Sequence, residues 1–164
     1  MSLIEILKKG YHNREWPNDS EFHDELINSH LYYHDFCKVI LEELELLNNK
    51  EPVNMKNLSI EHIMPQVNGQ VENLSENWKN MLGDNYKDVY EKWLHTLGNI
   101  TLTGYNSEYQ DSRFEDKKNM PNGFKESRVK LNQEIAKEVS WNENIIKSRG
   151  KRLADRAIEI WKYY

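Results

Sequence analysis

The chain has 164 residues, of which 38% are hydrophobic and 30% charged, with a net charge of −5 and a mean hydropathy of −0.89. This length suits one domain of ordinary size, and no run of 18 apolar residues exists to cross a membrane. The single cysteine, Cys37, excludes an internal disulfide and a thiolate zinc cluster, and the expected location is the cytoplasm.

In chain order, Leu3 to Leu7 is too short for a signal peptide and carries Glu5. Residues 3–9 read as a short helix stopping at Gly10. Trp16-Pro17-Asn18-Asp19-Ser20 is turn chemistry and offers caps for a helix starting near Glu21, with Phe22, Leu26 and Ile27 on its apolar face. The spacing of Phe36, Val39, Ile40, Leu44 and Leu47 predicts a second helix from Tyr32 to Leu47. Residues 58–63 read as a strand closed by Pro65, and residues 66–75 as polar turns. Helical pieces follow over 76–97, carrying Trp78, Met81, Leu82, Val89, Trp93 and Leu94. Residues 99–103 read as a second strand. A helix after Tyr105 would carry Asn106, Phe114, Lys117 and Lys118 until Pro121-Asn122-Gly123 breaks it. The C-terminal helix is expected to start at a Ser140–Glu143 capping box, with Ile145, Ile146, Leu153, Ala157, Ile160 and Trp161 buried. Trp78, Trp93, Trp141 and Trp161 read as core. Two strands cannot stand alone in water, so helices must support them. The fold class is α+β, mostly helical.

The segment Ser59-Ile60-Glu61-His62-Ile63-Met64-Pro65-Gln66 carries the most chemistry. After it come Leu97-Gly98-Asn99-Ile100-Thr101-Leu102-Thr103, then Asn106, Lys117 and Lys118. In order these are a carboxylate, an imidazole, two carboxamides and two ammonium groups. Phosphodiester hydrolysis needs a water deprotonated, and imidazole suits that near neutral pH. It also needs charge stabilised on the phosphorus centre and the leaving oxygen, which suits a Lewis acid. Mg²⁺ (or Mn²⁺) takes oxygen ligands and keeps several waters, so Glu61 and Asn106 would be enough protein. Neighbours on a regular strand face opposite ways, so Glu61 and His62 are expected at a distorted strand end. Asn99 would hold the loop or the imidazole.

Charge is distributed unevenly. Residues 113–156 hold 12 Lys and Arg against 7 Asp and Glu, whereas residues 1–61 hold 6 against 12. The basic stretch begins just after the candidate site, which makes Arg113, Lys117 and Lys118 the expected DNA contacts. His30 and His34, with Asp35, are a possible metal pair on one helix face, without an evident third ligand.

Glu-His-Ile-Met-Pro-Gln, then Gly-Asn-Ile-Thr-Leu-Thr, then Asn resembles the HNH (His-Me finger, ββα-metal) nuclease signature. The HNH domain of RNA-guided CRISPR nucleases is similar. A nearer resemblance is to the C-terminal domain of GmrSD-type restriction endonucleases. It covers Ile60 to Gln66, Leu97 to Leu102, Asn106, Phe114 to Lys118 and the tail Trp141, Ile145, Arg149, Leu153 and Trp161. The resemblance implies a ββα-metal finger embedded among helices. It makes His62 the general base, Asn99 the residue that orients it, and Glu61 and Asn106 the metal ligands. Glu61 stands where many such sites have Asp, and the insertion over residues 66–97 is longer than a minimal finger needs. The implied organisation is a helical segment at 1–57, the finger with its insertion at 58–120 and helical support at 121–164. Relatives carry an N-terminal nucleotide-binding sensor domain. Nothing here resembles it, and no Gly-rich phosphate loop occurs. The implied activity is cleavage of foreign or modified DNA in phage defence. Two rivals come from other classes: a non-catalytic helical module that binds nucleic acid or a partner, with a degenerate site, and an RNA-cutting toxin.

Overall fold

The computed structural model describes residues 17–162, so the helix expected over 3–9 lies outside the described residues. The architecture is α+β and mostly helical, around one small two-stranded antiparallel sheet. Helix α1 (Asp19–Asn28) opens with a capping box: the Asn18 side chain accepts from Glu21 N, and the Glu21 carboxylate accepts from Asn18 N. It packs on the last helix of the chain, where the Phe22 and Trp161 rings meet edge to face at 6.2 Å.

Helix α2 (Cys37–Leu46) begins five residues later than its apolar spacing predicts. Leu31–Tyr33 forms a 3-10 turn instead, because Tyr32 N donates to His95 O across the fold. The buried face of α2 is therefore Cys37, Ile40, Leu41 and Leu44, while Phe36 and Val39 are exposed. Glu45 is also buried. Its two carboxylate oxygens accept from Lys130 N and Leu131 N, at 2.8 and 3.0 Å, and so cap a helix 85 residues away.

Strands β1 (Ser59–His62) and β2 (Ile100–Thr103) pair in the register Ser59 to Thr103, Ile60 to Leu102, Glu61 to Thr101 and His62 to Ile100. Ile60, His62, Ile100 and Leu102 share one face, which meets the core formed with Leu26, Leu31, Leu41, Leu44, Leu153 and Ala157. A second core gathers Ile63, Met64, Trp78, Trp93, Phe114, Phe124, Trp141 and Ile146. All four tryptophans expected in the core are at most 7% exposed. Helices α3 (Glu76–Leu82) and α4 (Tyr86–Trp93) fill the insertion between the strands.

The helix expected after Tyr105 is two helices. The single turn α5 (Asn106–Tyr109) ends at Gln110, whose φ of 41° leaves the helical region, and α6 (Phe114–Asn119) restarts after an extended Arg113. Helix α7 (Lys130–Ile135) then leads to α8 (Glu143–Ile160). The cap of α8 is Asn142, not Ser140: Asn142 Oδ1 accepts from Ile145 N, while the Glu143 carboxylate accepts from Trp93 Nε1 at 2.9 Å. Glu143 is thereby tied to α4 and does not close a box with Ser140. Among the described residues, no helix is long and apolar enough to cross a membrane.

Helix α8 passes so close to the turn before β2 that a Cβ on Gly98 would sit 2.2 Å from Ile146 O. Its Arg149 lies fully buried there, and Nη1 donates to Leu97 O, Gly98 O and Ile100 O at 2.9–3.1 Å. Gly98→Ala must push α8 off this seat. We expect a loss of about 3 kcal/mol, the upper end of overpacking costs, read as a lower urea midpoint with an unchanged slope. An unchanged midpoint would show that α8 yields freely.

Candidate functional site

The register fixes which backbone groups of the sheet pair. Ile63 N donates to Asn99 O, so residues 59, 61 and 63 bond across to β2 and the carbonyls of Ile60 and His62 point outward. Two side chains meet them. Asn106 Nδ2 donates to Ile60 O at 2.7 Å and to Ser59 Oγ at 3.1 Å. Lys117 Nζ donates to His62 O at 2.9 Å. On the other edge, Asn132 Nδ2 donates to Leu102 O at 2.9 Å, and Arg149 takes Ile100 O.

β1 is regular, so Glu61 and His62 leave opposite faces, and the expected strand-end distortion is absent. Glu61 meets Lys117, with Nζ 2.5 Å from Oε1 and both side chains essentially inaccessible. Burial pushes the Glu61 carboxyl up and the Lys117 ammonium down; their mutual attraction opposes both shifts. His62 goes the other way. Its Nε2 lies 3.1 Å from His95 Nδ1, and the Tyr32 ring covers it at a centroid distance of 4.5 Å. His95 Nε2 in turn lies 2.8 Å from the Tyr33 hydroxyl. Burial, then His95, then Lys117 lower the His62 pKa to about 3, so the imidazole is neutral at pH 7.

The remaining expected residues are placed as follows. Asn99 is fully buried. Its Oδ1 accepts from Met64 N and Trp141 Nε1, and its Nδ2 donates to Met64 O and Leu94 O. It clamps the loop just past His62 and makes no bond to the imidazole. Arg113 is exposed and bidentate to Asp116. Lys118 is 6% exposed, pairs with Glu115 and donates to Glu138 O. Arg152 and Arg156 face Glu138 and Glu134, so much of the basic stretch is locally neutralised. Thus β1 gathers Glu61, His62, Asn106 and Lys117, while Arg113 and Lys118 have no bond to that cluster. His30 and His34 flank a 3-10 turn, with His30 against His95 and His34 stacked on Phe36, so they share no helix face.

His95, Tyr32 and Tyr33 are the site residues that the sequence reading missed. The signal for them was faint: two tyrosines side by side, and one histidine four residues before Asn99.

Among the described residues, no three His, Cys, Asp or Glu side chains gather as a metal cage. The Asn106 amide nitrogen is bonded, whereas its Oδ1 has no partner among the described residues. A carboxylate and a carboxamide oxygen suit a hard ion that keeps most of its waters. Lys117 competes with any such ion for Glu61.

Two outcomes follow from this geometry. Lys117→Met leaves a buried carboxylate without its partner and is expected to cost about 3–5 kcal/mol, whereas the double variant Glu61→Leu/Lys117→Met should recover most of that loss. Equal urea midpoints for wild type and Lys117→Met would refute the pairing. His62 binds its proton near pH 6.5 in the unfolded chain and near 3 in the fold, so stability present above pH 6.5 is lost as pH falls toward 3. His62→Asn should therefore lose less stability than wild type between pH 7 and pH 4.5 in urea titrations. Parallel losses would show that His62 titrates normally.

No curated protein and no solved structure matches the chain. Residues 16–156 match the family described as GmrSD restriction endonucleases, C-terminal domain. The match takes in β1, β2, every clustered side chain above and most of α8. With most of its length matched, the chain belongs to the GmrSD restriction endonuclease C-terminal domain family, a family of nuclease domains.

Proposed function

We propose that this domain is a metal-dependent DNA endonuclease of the HNH type, in which β1, β2 and α5 act as the ββα-metal finger. The observation that carries the reading is the grouping of three residues along one strand, with Glu61 and His62 leaving its opposite faces. Glu61 and His62 are adjacent on β1, and Asn106 is bonded to Ile60 O with its Oδ1 open. Family membership supports the nuclease class.

In this reading His62 is the general base. Its neutral imidazole has a lone pair ready at pH 7. Burial, His95 and Lys117 all disfavour the imidazolium, so a nearby negative charge would stabilise it. Glu61 and Asn106 Oδ1 are the groups for Mg²⁺ or Mn²⁺. When bound, such an ion supplies Lewis acidity to the phosphate and the departing oxygen. Asn99 acts indirectly by fixing the Met64 backbone, two residues beyond the base. Lys117 neutralises Glu61 and would have to give it up for a divalent ion to be held there. Arg113 and Lys118 then serve as phosphate contacts only by exchanging Asp116 and Glu115 for DNA.

Family membership is the support for a wider role. We place this domain in cytoplasmic defence against foreign or modified DNA, beside an N-terminal nucleotide-binding sensor. In this reading residues 58–120 are the nuclease core and 121–162 brace it, while α1 and α2 pack against the same core.

The enclosed Glu61–Lys117 pair favours a second reading: a degenerate, non-catalytic module that binds nucleic acid or a partner. Plasmid DNA and a matched RNA, incubated with Mg²⁺, Mn²⁺ or EDTA, separate the readings. Metal-dependent DNA nicking is expected, falling by about 10²-fold or more in His62→Ala. His62→Ala cutting at the wild-type rate would remove His62 as the base. Cutting of RNA alone would make the domain a ribonuclease. Calorimetry with Mn²⁺ addresses the degenerate reading, which requires that no specific binding be seen.

A further inference from the structure

The His62 imidazole has one hydrogen-bond partner among the described residues, and it is His95. Asn99, the residue expected to orient the imidazole, has both ends of its carboxamide bonded to Met64, Leu94 and Trp141. The His62–His95 contact joins Nε2 to Nδ1 at 3.1 Å and continues from His95 Nε2 to the Tyr33 hydroxyl at 2.8 Å. Tyr33 is 65% exposed, so the chain runs from the buried imidazole to solvent. The ring of His95 is itself held, stacked on Tyr32 at 5.4 Å and 21°, while its carbonyl accepts from Tyr32 N.

A hydrogen bond between two neutral imidazoles needs one proton, and two arrangements supply it. In the first, His62 Nε2–H donates to His95 Nδ1, and His95 Nε2–H donates to Tyr33. In the second, the Tyr33 hydroxyl donates to His95 Nε2, His95 Nδ1–H donates to His62 Nε2, and His62 carries its proton on Nδ1. Only the first leaves His62 Nδ1 with a lone pair. That nitrogen has no partner among the described residues, yet their fully enclosed unpartnered side-chain atoms are Arg149 Nε and Nη2 alone. His62 Nδ1 is therefore the ring nitrogen that water can reach. The first arrangement also gives both rings the Nε2–H form that free neutral imidazole prefers.

We propose that His95 is the positioning residue of the His62 base: by accepting the Nε2 proton it selects the tautomer whose Nδ1 lone pair faces the attacking water. This rests on the nuclease reading for its consequence, but the tautomer can be observed without any cleavage. His95 touches no substrate and acts only through His62.

Nitrogen-15 long-range correlation spectra of the histidines at pH 7 test this, with His62→Asn used to assign the His62 signals. Wild type is expected to show His62 protonated on Nε2 alone. His95→Phe keeps an aromatic ring and removes the acceptor, so the His62 signals should shift to mixed tautomers. His95→Gln, whose carboxamide oxygen can accept, should restore the single form. Tyr33→Phe removes the donor of the competing arrangement and should leave the Nε2–H form intact, which keeps the test open if His95→Phe folds poorly. On a cleaved substrate, His95→Phe should lower kcat by about 10- to 100-fold with KM nearly unchanged, and His95→Gln should recover most of it. His62 protonated on Nδ1 in wild type, or an unchanged tautomer in a folded His95→Phe, overturns the proposal. If wild type cuts nothing, the nuclease reading fails while the spectra still decide the role of His95.

Discussion

A two-stranded sheet has two open edges, and the fold is organised around closing them. Four carbonyls point outward from the ladder: Ile60 and His62 on β1, Ile100 and Leu102 on β2. Each is met by a side chain rather than by a third strand. Asn106 and Lys117 take the β1 edge, and Asn132 and Arg149 take the β2 edge. An unpaired buried carbonyl is costly, so four separate helices are fixed in place by this one requirement. The same requirement builds the site. Asn106 and Lys117 stand beside Glu61 and His62 because they close the β1 edge.

The opposite edge transmits rigidity. Arg149 gathers three carbonyls around the turn that launches β2, and Gly98 lets α8 come close enough to do so. Asn99, the next residue, carries that rigidity across to Met64 and Trp141. His62 therefore sits between two clamped points, its own ladder pairing and the Met64 loop. The carboxamide at position 99 thus holds the Met64 loop without touching the imidazole.

The electrostatics of the site are self-contained. Lys117 neutralises Glu61, and His62 stays neutral against His95. A low-dielectric pocket tolerates these groups only in such combinations. The arrangement makes the free domain stable and electrically quiet at Glu61 and His62. Its proposed chemistry then depends on charge brought in by a cation and a phosphate.

Much of this was legible in the sequence, and the reasons are local. Apolar spacing located most of the helices, a β-branched run located the second strand, and the turn chemistry before Glu21 announced the first helix. The family resemblance was carried by short motifs whose order survives without a fold, and residues 16–156 match that family. What depends on partners distant in sequence was not legible. The start of α2 is set by His95 O, and the α8 cap by the bond from Trp93 to Glu143. Lys117 reads as a surface cation until the fold places it 2.5 Å from Glu61, and Arg149 as solubilising charge until three carbonyls enclose it. Sequence alone determined which chemical groups are present, their order and the local elements that carry them, because periodicity and capping act within a few residues. Tertiary structure alone decided which of those groups meet, because burial and long-range hydrogen bonds join residues far apart in the chain, as His23 and Asp155 are joined across 132 positions.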